Sequence, residues 1–263
     1  PVSLPKDTDK NLTVKVDFSM VGTSQPGSQG SLVKVDFNGS DSTGTQGTGV
    51  GSGNTINASG STAVAGLRMF KSFPTLALDT LGSTGIADGR LMRFKVTANA
   101  NGSVGISQMK FAVASTSATV TSVQLFAYTD ASYSSPISGQ GTSGQVGATL
   151  STVPQGPVTF VVAPSSNPVQ VSAGATVYFE LKGSVAGVTT GSSVVTTLSG
   201  DAAYLTNLTS GYNVATSSAA TSTSNFVWSG NATSTSGLFD VDWSNGAALP
   251  GLSSSGLIQT RSN

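Results

Sequence analysis

The chain has 263 residues, of which 43 Ser, 33 Thr and 32 Gly make up two fifths, while charged residues amount to only 9% and cancel to zero net charge. With no Cys and no His, a zinc site of the usual kind, a disulfide framework, a Cys nucleophile and a His general base are all excluded. A balanced charge leaves no basic footprint for nucleic acid and no polybasic membrane patch, and no apolar run approaches the roughly 18 residues of a spanning helix.

Low net charge and abundant β-branched residues argue against disorder throughout. If Pro1 is the natural start, upstream residues have been removed, as in an exported protein, so an extracellular or cell-surface location is expected.

Along the chain, period-2 alternation recurs in short runs between Gly, Ser, Asn and Pro clusters, which is the pattern of strands. It predicts strands over 11–20, 31–38, 63–72, 91–98, 104–113 and 119–129. Further runs fall at 158–163, 169–172, 176–183, 193–198 and 225–229. The fold class that follows is all-β, an antiparallel sandwich or jelly-roll-like body.

The pentapeptide Val-Lys-Val-Asp-Phe occurs twice, at 14–18 and 33–37. Antiparallel pairing with Val16 opposite Val35 sets Lys15 against Asp36 and Asp17 against Lys34. The other face then joins Val14 to Phe37 and Phe18 to Val33. An N-terminal β-hairpin is therefore predicted. The same six residues, Val14, Val16, Phe18, Val33, Val35 and Phe37, are candidates for pairing between subunits if the strand is exchanged.

Residues 39–62, rich in Gly, Ser and Thr, read as a linker or long surface loop. The expected organisation is thus an N-terminal segment 1–38, a connecting stretch 39–62 and a main sandwich domain 63–263. A second loose stretch is expected over 209–224.

Few residues carry candidate chemistry. Two Ser-x-x-Lys tetrads, Ser31 to Lys34 and Ser107 to Lys110, lie in predicted strands, where positions i and i+3 face opposite ways, so neither can be an acyltransferase pair. Glu180 shares a strand face with Tyr178 and Lys182, and a solvated ion pair with Lys182 is the favoured reading. Asp240 and Asp242 share a face too, but a hydrolase would have to work from Asp alone. No enzyme is expected.

The runs from Asp7 through Asp9 to Asn11 and from Asp240 through Asp242 to Gly246 resemble fragments of oxygen-ligand loops. Both lack a Glu at the twelfth loop position, so plain turns are favoured and a structural Ca²⁺ is the lesser reading; no other cofactor is expected. Six Asn-x-Ser/Thr triplets, at Asn11, Asn38, Asn57, Asn101, Asn207 and Asn231, barely exceed the roughly four that composition gives by chance. Trp228 and Trp243 read as buried anchors rather than as a sugar platform.

Five motifs occur in order: Leu67-Arg-Met-Phe-Lys-Ser-Phe-Pro-Thr75, Leu91-Met-Arg-Phe-Lys-Val-Thr-Ala98, Asn225-Phe-Val-Trp-Ser229, Asp242-Trp-Ser-Asn-Gly246 and Leu249-Pro-Gly-Leu252. Together they resemble large cell-surface proteins of candidate-phyla-radiation (Patescibacteria/Parcubacteria-type) bacteria over about residues 63–255. The resemblance implies export, β-sandwich modules and a structural or adhesive role at the envelope, and it implies no catalytic residues.

Composition points the same way. Free β-edges are normally guarded by Lys, Glu or Pro. Here eight Lys and one Glu serve the whole chain, and zero net charge removes repulsion between copies. The expected function is a self-assembling extracellular structural protein, a subunit of a surface-layer lattice or filament. Its partners would be further copies of itself, with glycans as a further class. An adhesin or carbohydrate-binding module is the alternative, and a phage-type fibre or capsid protein a third reading.

Overall fold

The computed structural model describes residues 2–64, 66–82, 85–153, 156–164, 167–204, 224–232 and 242–263. The expected loose stretch at 209–224 lies outside the described residues except for Ser224, and so do Asp240 and the Asn207 triplet. Among the described residues the regular structure is β apart from one 3₁₀ turn, Thr142–Gly144.

Seven short or edge strands come first: β1 (Leu32–Val33), β2 (Phe37–Asn38), β3 (Gln46–Thr48), β4 (Thr55–Asn57), β5 (Ser61–Thr62), β6 (Leu67–Arg68) and β7 (Pro74–Leu78). The long strands follow: β8 (Arg90–Ala98), β9 (Val104–Thr116), β10 (Thr119–Tyr128), β11 (Gln145–Val153), β12 (Val158–Val162), β13 (Val169–Val171), β14 (Thr176–Ala186) and β15 (Ser193–Leu198). The last three are β16 (Phe226–Ser229), β17 (Trp243–Asn245) and β18 (Leu257–Ser262).

Two antiparallel sheets form a sandwich. One has five strands in the order β11-β10-β14-β8-β7. The other is organised around β9, which pairs β12 and β13, and also β15 and β16, with β18 and β17 beyond. The reason is in the alternation. On β8, Leu76's neighbour strand, the residues Met92, Phe94 and Val96 are buried, as are Ile106, Met109, Phe111 and Val113 on β9 and Phe179 and Leu181 on β14. The rings of Phe94 and Phe179 stack at 4.9 Å across the β8–β14 pair. Closing these apolar faces on each other removes them from water, at roughly 1.5–3 kcal/mol for each fully buried large side chain.

The N-terminal hairpin is not formed. Residues 11–20 carry no ladder hydrogen bonds, and the second copy of the pentapeptide is taken by a later segment: Val33 opposes Leu67 and Phe37 opposes Thr62. Two of the charges that the hairpin would have crossed pair with each other instead. Lys34 pairs with Asp36 at 2.7 Å, and Asp36 also accepts the Val64 N–H. These two bonds hold the Asp36 carboxyl below its ordinary range. After Met20 the chain turns sharply, with Gly27 N donating to Met20 O and Val21 bridging Gly27 in parallel.

Residues 39–62 fold back on themselves as an exposed ribbon in which Gln46 opposes Asn57 and Thr48 opposes Thr55. Gly39 packs so closely on Gly60 O that a Cβ would lie 1.8 Å from it. The root of the N-terminal segment is fixed to the sandwich by Gln29, whose Oε1 accepts Lys71 N, and by Arg68, whose guanidinium donates to Gly30 O.

One close approach closes the β7 side. Leu76 N donates to Pro250 O at 2.9 Å, and Gly251 follows with φ +82°, where a Cβ would lie 1.7 Å from Leu76 O. Gly251→Ala is expected to cost about 2–4 kcal/mol in chemical denaturation, combining a left-handed backbone with a backbone clash. Gly53→Ala, at φ +68° in open space, should cost only about 1–2 kcal/mol.

Candidate functional site

Two features stand out from the sandwich, an apolar stripe on the N-terminal segment and a carboxylate buried beneath cations. In the segment 11–20 the apolar side chains occupy every second position. Leu12 is 75% exposed, Val14 67%, Val16 53%, Phe18 50% and Met20 72%. The polar positions between them are Thr13, Lys15, Asp17 and Ser19. An alternating pattern of this kind suits a strand with one face against a core, yet here neither that face nor the backbone edge is covered among the described residues. Of the six pairing candidates, Val35 and Phe37 are also exposed and Val33 is half-buried in β1. The structure does not bring Val14, Val16 and Phe18 together with Val33, Val35 and Phe37. Leu12 and Met20 belong to the same stripe, and the period-2 pattern that flagged their neighbours extends to them unchanged.

The second feature corrects the expectation for Glu180. Its side chain is 1% exposed, not solvated, and it carries three cations rather than one. Oε1 accepts Arg93 Nε and Nη2, both at 2.8 Å, with Arg90 Nε at 3.3 Å, and Oε2 accepts Lys182 Nζ at 2.6 Å. The register explains the convergence. Glu180 lies opposite Arg93 on β8 and Phe126 on β10, so all these side chains project from the outer face of the five-stranded sheet.

Tyrosines roof the carboxylate. The Arg93 guanidinium sits 3.7 Å from the Tyr133 ring centre, and Tyr133 meets Tyr128 and Tyr178 edge-on at 5.6 and 5.9 Å. Tyr133 donates its hydroxyl hydrogen to Asp79 Oδ2 at 2.9 Å. Burial, and then the bond to Asp79, pushes the Tyr133 hydroxyl far above its ordinary range, so it stays a donor. Burial pulls the Lys182 ammonium down, but the hydrogen bond and charge of Glu180 outweigh this and leave it raised.

Tyr133 is held in place by its own loop. Asp130 accepts hydrogen bonds from Ser132 Oγ, Ser135 N and Ser134, which keep its carboxyl well below the usual carboxylate range. With both oxygens of Glu180 occupied by cations, the arrangement works as a pin between β8 and β14. The sequence shows Lys182 beside Glu180, but Arg93 and Tyr133 reach the carboxylate only through strand register and a loop, which no local spacing signals.

The remaining candidates are structural in their settings. Ser107 is buried on β9, three residues from Lys110 on the same strand, and Lys34 is engaged with Asp36. Asp7 and Asp9 are exposed. Asp242 accepts Ala232 N at 3.0 Å. No group of three or more acidic side chains placed to hold a metal occurs among the described residues. Asp201, unmarked by any motif, accepts the Asn225, Phe226 and Gly246 N–H groups and ties the β16 and β17 ends together.

Both Trp residues are buried, with Trp228 Nε1 donating to Asn245 O at 2.7 Å. Asn231 is buried as well, and its amide donates to Ser103 and Gln170, so that triplet cannot carry a glycan in the folded chain. Asn11, Asn38, Asn57 and Asn101 are exposed. A cleft of about 470 Å³ beside β13 and β14 is lined by uncharged residues, among them Gln140, Asn167, Gln170 and Thr176. Among the described residues no helix is long and apolar enough to cross a membrane.

No family model matches the chain, and no curated protein matches it.

Removing the Glu180 carboxylate leaves Arg90, Arg93 and Lys182 facing one another. Glu180→Ala should therefore lose about 2–4 kcal/mol of stability by urea denaturation, less than a fully buried triad because Arg90 and Lys182 remain partly exposed. An unchanged denaturation midpoint would contradict the pin.

Proposed function

We propose that this chain is a self-assembling extracellular structural protein, the subunit of a surface lattice or filament, and that its N-terminal segment is the strand by which one copy joins the next. The observation that carries this reading is the stripe Leu12, Val14, Val16, Phe18 and Met20, half to three-quarters exposed and in no strand ladder among the described residues. Covering such half- to three-quarter-exposed side chains yields about 1–2 kcal/mol each. Main-chain bonds of an added strand contribute roughly 0.5–1.5 kcal/mol each, against an association cost of about 4–15 kcal/mol. Strand addition is thus within reach of a segment of this length, with main-chain bonds giving affinity and alternate side chains giving register.

The sparse charge supports the same reading. Charged residues make up only 9% of the chain and sum to zero, so little net repulsion keeps copies apart. Export and a place at the cell surface are part of the proposal, supported by the resemblance in residues 63–255 and by the Ser/Thr/Gly-rich composition.

A second reading, an adhesin or carbohydrate-binding module, is favoured by one observation: the amide- and hydroxyl-lined cleft bounded by Gln140, Asn167 and Thr176. Glycan-array binding by a monomeric variant would support it.

Deleting residues 1–18 removes a segment that joins no ladder among the described residues and whose Lys6, Thr8 and Lys10 bond locally. The variant should keep its melting temperature within about 2 °C and form no polymers in negative-stain micrographs. Val16→Asp combined with Phe18→Asp should behave likewise. Assembly of the intact chain should change little between 0.05 and about 0.5 M NaCl, because there is little for salt to screen. Normal polymers from the deletion variant would overturn the strand's role, and an intact chain that stays solitary at high concentration would overturn self-assembly.

A further inference from the structure

The arm needs a seat, and the edges of the sandwich are unequal. β7 begins with Pro74 and its Leu76 N–H is already given to Pro250 O. β18 turns Arg261 inward, where its guanidinium reaches Gly85 O and Asp88, an inward charge of the kind that discourages strand addition. β17 is buried along its length. β11 is uncharged, but it shifts register against β10 between Val123 and Leu125. Such an irregularity twists an edge away from regular pairing.

β12 differs from all of these. Its sequence Val158-Thr-Phe-Val-Val162 has no charge and no Pro, and it pairs β9 on one side; on the other no strand is hydrogen-bonded to it among the described residues, although Gly147 of β11 lies against its Val162 end. Val161 is 50% exposed on its outer face. On the inner face, Val158 and Phe160 are only partly buried, with Phe160 stacked on Phe111 at 5.7 Å, and Leu150 of β11 is partly buried across from them. The two sheets meet at Gly147 and Ala163, and these three apolar side chains at the margin of the core stay only partly buried.

We propose that the free edge of β12 is the seat for residues 12–20 of a second copy, which extends the seven-stranded sheet by one strand at each contact. The inference rests on the self-assembly reading above and names its acceptor. The two surfaces have matching parity. A strand added to β12 with its stripe on the inner face sets Val14, Val16 and Phe18 over Val158, Phe160 and Leu150, and turns Thr13, Lys15, Asp17 and Ser19 outward beside Thr159 and Val161. Reversing the faces would expose the stripe and bury Lys15 and Asp17, so one orientation of the two faces is selected.

The chain has no Cys, so engineered thiols report without background. One population carries Lys15→Cys or Asp17→Cys, and the other carries Thr159→Cys or Val161→Cys, all on the outward face. After co-assembly and mild oxidation, at least one combination should give a covalent heterodimer at ten times the yield of control acceptors Ser151→Cys on β11 and Thr260→Cys on β18, since a disulfide needs Cα atoms within about 7 Å. Val161→Lys should raise the concentration needed for assembly at least tenfold while leaving the monomer's melting temperature unchanged. Polymers whose cross-links fall on β11 or β18 would overturn the seat but keep self-assembly. A chain bearing both thiols that closes on itself and stays monomeric would overturn the second copy as occupant. Absence of polymers from the unmodified chain would overturn the underlying reading itself.

Discussion

A strand with alternating apolar and polar side chains has one face that must leave water and two edges whose amides and carbonyls need partners. That requirement organises this molecule. β9 meets it fully, with β12 and β13 along one edge, β15 and β16 along the other, and Ile106, Met109, Phe111 and Val113 buried against the opposing sheet. Residues 12–20 have the same alternation but join no ladder among the described residues, and their apolar side chains stay half to three-quarters exposed. The difference between them is not propensity, since Val, Phe and Leu supply both, but the supply of neighbours.

The long strands were legible because alternation and punctuation agree. β15 spans Ser193–Leu198 as its pattern predicts, and β8, β9, β10 and β14 differ from expectation only at their ends. The strands missed are of another kind. β11 reads Gln-Val-Gly-Ala-Thr-Leu-Ser-Thr-Val, and the register shift inside it breaks the period that would have announced it. β17 has only three residues, and β7 and β18 lie at sheet edges, where their neighbours supply the ladders. The hairpin expectation failed for an instructive reason. The complementarity between the two pentapeptides is real, but 61–68 takes the second copy as its own partner.

The charged residues follow the same economy. Glu180, the chain's single Glu, was readable as a neighbour of Lys182 two positions on, but not as the centre of a group that also takes Arg90 and Arg93 from another strand. Three of the chain's twelve cations pin β8 to β14, while β12 carries no charged side chain.

The position of β12 beside β9 has a mechanical meaning. The N-terminal segment is rooted through Gln29 to Lys71, and Lys71 in turn donates to Asn231 O, just past the end of β16, itself a ladder partner of β9. With a neighbour's strand seated on β12, tension along a chain of subunits would enter one side of β9 and leave by the other. Ladder bonds loaded along the strand direction share the pull and must fail together, whereas bonds opened from an end fail one by one. A fibre built this way would resist stretching far better than peeling, with a single thirteen-residue strand as the cable running through each link.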